Sequence, residues 1–115
     1  RAYVVRTNRT EAKVALQSHV QRLERCFVRT NNYFSPQCLE DNSGVAMYPL
    51  AVGDDYVITI AASALGAGNY DLAATPQGAQ AGDDTECGTF TIDNLGNRSV
   101  SGSASATAVA SCWDR

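Results

Sequence analysis

Glycine and proline are both missing from residues 3–29. With neither breaker present, no turn or kink is expected there, and the stretch is free to run as one helix. Other shortages exclude functions. No apolar run approaches the roughly 18 to 20 residues that span a bilayer. The sequence opens on neither a methionine nor a charged-then-apolar leader, so a processed product or a soluble fragment of a longer chain is expected. Histidine occurs once, at His19, and no two cysteines have the C-x-x-C spacing, which argues against a zinc knuckle or a redox motif. Nucleophile elbows, phosphate-cradling loops and paired-carboxylate sites are also missing, so neither enzymatic activity nor a cofactor is expected.

What is present begins with periodicity. Ala12, Leu16, His19, Val20, Leu23 and Phe27 recur at steps of three and four, which places them on one apolar stripe of a helix. Arg6, Arg9, Lys13, Gln17, Gln21, Glu24 and Arg25 are expected on the opposite, wet face. At roughly 1.5 Å per residue such a helix is about 40 Å long, as wide as any body the remaining residues can form. His19, lying on the stripe, reads as a packing residue and not as a catalytic base.

The 115 residues suffice for one core, and the apolar fraction of 44% is that of a globular protein. The net charge of −3 is unevenly placed. Residues 1–33 hold seven of the nine basic residues against two acids, a surplus of +5, and residues 34–115 carry −8. A chain polarised in this way suits head-to-tail contact between copies, or a basic surface meeting an anion.

Four segments are expected: the helix over residues 1–30, a loop over 31–54, an antiparallel sheet over 55–101, and a C-terminal region over 87–112. Thr30-Asn31-Asn32 ends the helix, and Pro36, Gly44, Pro49 and Gly53 keep the loop irregular. Within it Tyr33, Phe34, Leu39, Met47, Tyr48 and Leu50 are scattered anchors. Exposure among Tyr33, Phe34, Met47 and Tyr48 would mark a subunit contact.

Three strands show plain alternation. Tyr56, Ile58 and Ile60 form the inward set of the first, Tyr70, Leu72 and Ala74 of the second, Phe90 and Ile92 of the third. Gly66-Ala67-Gly68 and residues 76–84 are short connections between antiparallel strands. Asn94-Leu95-Gly96-Asn97 turns into a weaker fourth strand over 98–101, and residues 102–111 would be floppy on their own. A helix followed by a meander of strands is an α+β roll.

Cys26, Cys38, Cys87 and Cys112 are an even count in a short chain, and two disulfides in an oxidising compartment are expected. Three pairings are open. The sequential one would staple the helix end to the loop and close the C-terminal segment, each closure contributing about 3 kcal/mol. Asp83, Asp84 and Glu86 offer oxygens to a hard cation such as calcium but lack the spacing of a calcium loop, so a solvated acidic turn is expected, and Asp54-Asp55 read the same way. Trp113 and Tyr70 read as packing residues.

Several stretches then match one family in order. Tyr3-Val4-Val5-Arg6-Thr7-Asn8-Arg9-Thr10-Glu11-Ala12 opens the helix, and Tyr70-Asp71-Leu72-Ala73-Ala74-Thr75-Pro76 forms the second strand. Gln80-Ala81-Gly82-Asp83 leads into Cys87-Gly88-Thr89-Phe90-Thr91-Ile92, Gly96 sits at the turn, and Cys112-Trp113 closes the chain. The chain resembles the globular part of a type IV pilin, closest to the PilE-type minor pilins.

The resemblance implies a long N-terminal helix packed on a four-stranded antiparallel sheet with a disulfide-closed C-terminal region. It implies a structural subunit of a pilus, taking part in assembly or priming, twitching motility and adhesion. The upstream half of the helix would anchor the subunit in the inner membrane, after a leader peptide is removed. Implied partners are other major and minor pilins and the inner-membrane assembly machinery. The implied location is the extracellular fibre, with the domain in the periplasm of a Gram-negative bacterium before assembly. These pilins typically carry the C-terminal bridge alone, so Cys26 with Cys38 rests on spacing.

Related pilins serve as DNA receptors during natural transformation through a basic stripe near the C-terminal loop. Here that loop offers Arg98, and Arg22, Arg25 and Arg29 on the helix are the other candidate DNA contacts. Arg6, Arg9 and Lys13 would lie near the fibre core. One arginine in the loop predicts weak phosphate binding, so DNA uptake stands as the alternative function and a type II secretion pseudopilin as a second. Without its anchor the domain is expected to be monomeric.

Overall fold

The computed structural model describes residues 2–41, 43–62, 68–101 and 105–113. Helix α1, Ala2–Thr30, runs unbroken and sets the longest dimension of a body measuring 42 × 31 × 19 Å. It stops at Asn31, whose positive φ of 57° suits a helix C-terminus and whose N–H still reaches the Phe27 carbonyl at 2.7 Å. Ala12, Leu16 and Leu23 are fully buried, and Val20, Phe27 and His19 flank them half-buried, so the stripe faces the core as its spacing requires. Each fully buried leucine is worth about 1.5–3 kcal/mol.

Among the described residues the sheet has five strands: β1 Leu50–Val52, β2 Tyr56–Ala62, β3 Tyr70–Pro76, β4 Phe90–Asp93 and β5 Arg98–Val100. They are antiparallel and neighbour one another in chain order. The register lines up Leu50, Ile58, Ala74, Phe90 and Val100 in one row across the sheet. This row packs against the helix stripe in a single core. Asp93 builds the β4–β5 turn, its Oδ1 accepting the N–H groups of Leu95 at 2.9 Å and Asn97 at 2.8 Å.

The four-stranded expectation is corrected to five. The extra strand, β1, is only three residues between Pro49 and Gly53, too short to show alternation, and its pairing with β2 is a tertiary event. The loop around it is also more ordered than its breakers suggest. Helix α2, Pro36–Leu39, starts at Ser35, whose Oγ accepts the Gln37 N–H at 3.2 Å, with proline at the first helical position. The connection over residues 76–84 holds helix α3, Gly78–Asp83. Helix α4, Ala106–Cys112, occupies most of the stretch expected to be floppy: its alanines favour helix, and Ser105 caps it through the Ala108 N–H at 3.2 Å. Gly66-Ala67 and residues 102–104 lie outside the described residues.

Cys26 bonds Cys38 and Cys87 bonds Cys112. The first ties the end of α1 to α2; the second ties the segment before β4 to the end of α4. Tyr33 is buried, and Phe34, Met47 and Tyr48 are half-buried, so the loop aromatics face inward. The large exposed apolar side chains are instead Tyr3, Val4, Val14 and Val28 on α1, with Val45 and Leu95.

Candidate nucleic-acid interface

The C-terminal region is assembled by two cations one turn apart on α1. Spacing puts Arg9 and Lys13 on the wet face of the helix; the structure turns both toward the core. Arg9 Nε and Nη2 donate to Asp84 Oδ2 and Oδ1, both at 2.7 Å, a bidentate pair, and Nη2 also reaches Glu86 Oε1 at 3.2 Å. Lys13 is buried, and its Nζ donates to the carbonyls of Cys112 at 2.9 Å and Trp113 at 3.3 Å. Those carbonyls end α4 and have no partner inside the helix, so the ammonium meets a need the fold creates. The spacing did hold a signal. Arg9 and Lys13 continue, at steps of four and three, the series Leu16, Val20, Leu23 and Phe27. Their charge hid it.

Asp84 is likewise corrected from a solvated turn to a buried group at 1% exposure. Burial pushes its carboxyl up, but hydrogen bonds from Arg9 and from the Cys87 N–H, with the Arg9 charge, outweigh this and hold it below the ordinary carboxylate range. Gln80, also buried, joins the network. Its Nε2 donates to the Val5 carbonyl at 3.3 Å and the Tyr56 hydroxyl at 3.0 Å, and its Oε1 accepts from Asn8 Nδ2 at 3.0 Å. Burial pushes the Tyr56 phenol up to about 12. Among the described residues no group of three or more His, Cys, Asp or Glu is placed to hold a metal ion.

Beside this network lies the loop that carries Arg98. Trp113 is buried, edge-on to Phe90 with ring centres 5.4 Å apart, and its Nε1 donates to the Ser99 carbonyl at 3.0 Å. The Arg98 guanidinium lies 5.4 Å from the Trp113 ring centre, a cation–π contact at the β5 edge. Tyr70 too is fully buried, edge-on to Tyr33 at 4.7 Å.

The helix arginines lie elsewhere. Arg25 and Arg29 are exposed on the last turns of α1, while Arg22 is half-buried and donates to the Glu40 carbonyl at 3.2 Å. The structure therefore puts Arg98 on the sheet edge, Arg22 and Arg29 beside α2, and Arg25 exposed between them on α1. His19 Nδ1 lies 2.7 Å from the Tyr48 hydroxyl, and burial, reinforced by Arg22, lowers its pKa.

A long helix on a sequential antiparallel sheet with a disulfide-closed end defines a type IV pilin. The solved structure of a type IV pilin from Shewanella oneidensis superposes with a TM-score of 0.62 at 22% identity, covering 89% of this chain and 98% of that one. The chain belongs to the family of the type IV minor pilin ComP, DNA uptake sequence receptor, whose model matches residues 1–91. No curated protein matches. Family and fold are those of structural subunits, which associate with other pilins in a fibre and are anchored in the membrane before assembly. No helix among the described residues is long and apolar enough to cross a membrane.

Proposed function

We propose that this minor pilin is a receptor for DNA uptake, displayed by the fibre it joins. The observation that carries this reading is the match of residues 1–91 to a family described as a DNA uptake sequence receptor. The described basic side chains that reach solvent at least in part, outside the Arg9 and Lys13 network, are Arg6, Arg22, Arg25, Arg29 and Arg98. Of these, Arg98 and Arg22, Arg25 and Arg29 are the proposed contacts. So few cations on an acidic domain favour recognition through base edges and DNA shape over phosphate attraction alone. The exposed Tyr3, Val4, Val14 and Val28 suit packing of α1 against neighbouring pilins, with the inner-membrane assembly machinery acting before that. Before assembly the domain would lie in the periplasm, and the isolated domain would be monomeric.

The test is selection of duplex fragments from a randomised library on the immobilised domain, followed by sequencing of the retained fraction. Enrichment of one short sequence is the expected result. Retention of nothing, or of every sequence alike, would sink the receptor reading and leave a fibre subunit without it.

A further inference from the structure

The chain has a single lysine and a single tryptophan, and the fold brings them together. Lys13 and Arg9, one turn apart on α1, each hold one half of the Cys87–Cys112 bridge. Lys13 reaches the Cys112 carbonyl directly. Arg9 acts through Asp84, whose Oδ1 accepts the Cys87 N–H at 3.1 Å while the same carboxylate takes the guanidinium. The disulfide thus sits between two cationic anchors on one helix. Its far side carries Trp113, and Trp113 in turn carries the Arg98 guanidinium.

We infer that Lys13 is a positioning residue for DNA recognition: it fixes Trp113, and through it Arg98, at the surface that meets the duplex. The inference rests on the receptor reading proposed above and deepens it by naming what holds the contact in place. Three physical arguments support it. A buried ammonium must be satisfied, and the Cys112 and Trp113 carbonyls are among its acceptors. Those carbonyls lose a donor if the ammonium goes, so the end of α4 is free to turn. A cation–π contact depends on ring placement, so a shifted Trp113 loosens one of the contacts that aim Arg98. Loop order becomes a property of α1, the helix that packs in the fibre.

Lys13→Met removes the donor and keeps the stem. With helix content unchanged by circular dichroism, it should shift Trp113 emission to the red and raise acrylamide quenching about twofold by opening the loop locally. Affinity for the selected duplex should fall about fivefold, near the loss given by Arg98→Ala. Lys13→Arg, which still donates, should recover much of both signals. Ile58→Val, a core change on β2, should lower stability and move neither. Trp113 signals that stay at wild-type values in Lys13→Met would overturn the inference, as would an altered Trp113 with undiminished DNA affinity.

Should Lys13→Met fail to fold, the wild-type protein decides through reductive methylation. Lys13 should react about tenfold more slowly than the terminal amine until Cys87–Cys112 is reduced, and equal rates would overturn the inference. If the wild type binds no duplex at all, the receptor reading fails on its own, and the Trp113 readouts still decide whether Lys13 holds the loop.

Discussion

Gly88 holds a positive φ of 60°, and a side chain there would run into Ser101 Oγ, which donates to the Cys87 carbonyl at 2.9 Å. Both the backbone and the space demand glycine. Gly88→Ala should therefore cost about 2 kcal/mol, read as a lower urea midpoint with an unchanged slope. Asp84 offers a second measurement at this scale. Its carboxyl is held below the ordinary value of about 4, so the unfolded chain takes up its proton first as pH falls. The stability it contributes is present above about pH 4 and is lost as pH falls through the lower folded value. Asp84→Asn should cost about 2 kcal/mol near pH 7 by leaving Arg9 with only the exposed Glu86 as a charge partner, and should flatten the acid limb of a melting-temperature profile. An acid limb as steep as the wild type's would show that other carboxylates govern it.

At the scale of elements, the Cys26–Cys38 bridge joins α1 to α2 across a separation of 12 residues. Replacing both by serine should lower stability by about 3 kcal/mol in a thermal melt and loosen the loop, with the β2–β4 amides still protected from exchange. The long elements were legible in the sequence because each repeats its period often enough. The stripe of α1 shows through Leu16, Leu23 and Phe27, and the inward faces of β2, β3 and β4 through Tyr56, Leu72 and Phe90. The short ones were not. β1 exists because β2 offers an edge, and α4 because Ser105 caps a run of small residues that alone reads as flexible. Three-residue strands and helices of one or two turns draw their stability from neighbours, which a local pattern does not record.

At the scale of the molecule, the distribution of charge decides how DNA would be held on the receptor reading proposed above. Folding buries Lys13 and pairs the half-buried Arg9 with Asp84, which withdraws part of the basic surplus of the first thirty-three residues from the surface. The candidate site was legible only in part for the same reason: charge alone nominates Arg98 and the helix arginines as candidates, and it does not tell them from Arg9 and Lys13, which the fold pairs internally. With about three phosphate contacts, the logarithm of DNA affinity should fall with that of salt concentration at a slope of about −3. Fluorescence anisotropy across a salt series measures it. A slope two or three times steeper would mean that a basic surface beyond Arg22, Arg25, Arg29 and Arg98 takes part.

The sheet neighbours run in chain order, so every hairpin can close from residues that are already adjacent. Lys13 is different: its carbonyl partners lie 99 and 100 residues downstream. Closure over such a separation carries an entropic cost that local hairpins avoid, and these two hydrogen bonds cannot form until Cys112 and Trp113 have been made. A nascent subunit can thus own its helix and most of its sheet while its last turn is still undocked. Arrival of Cys112 and Trp113, registered by one lysine on α1, becomes the event that seals this part of the domain.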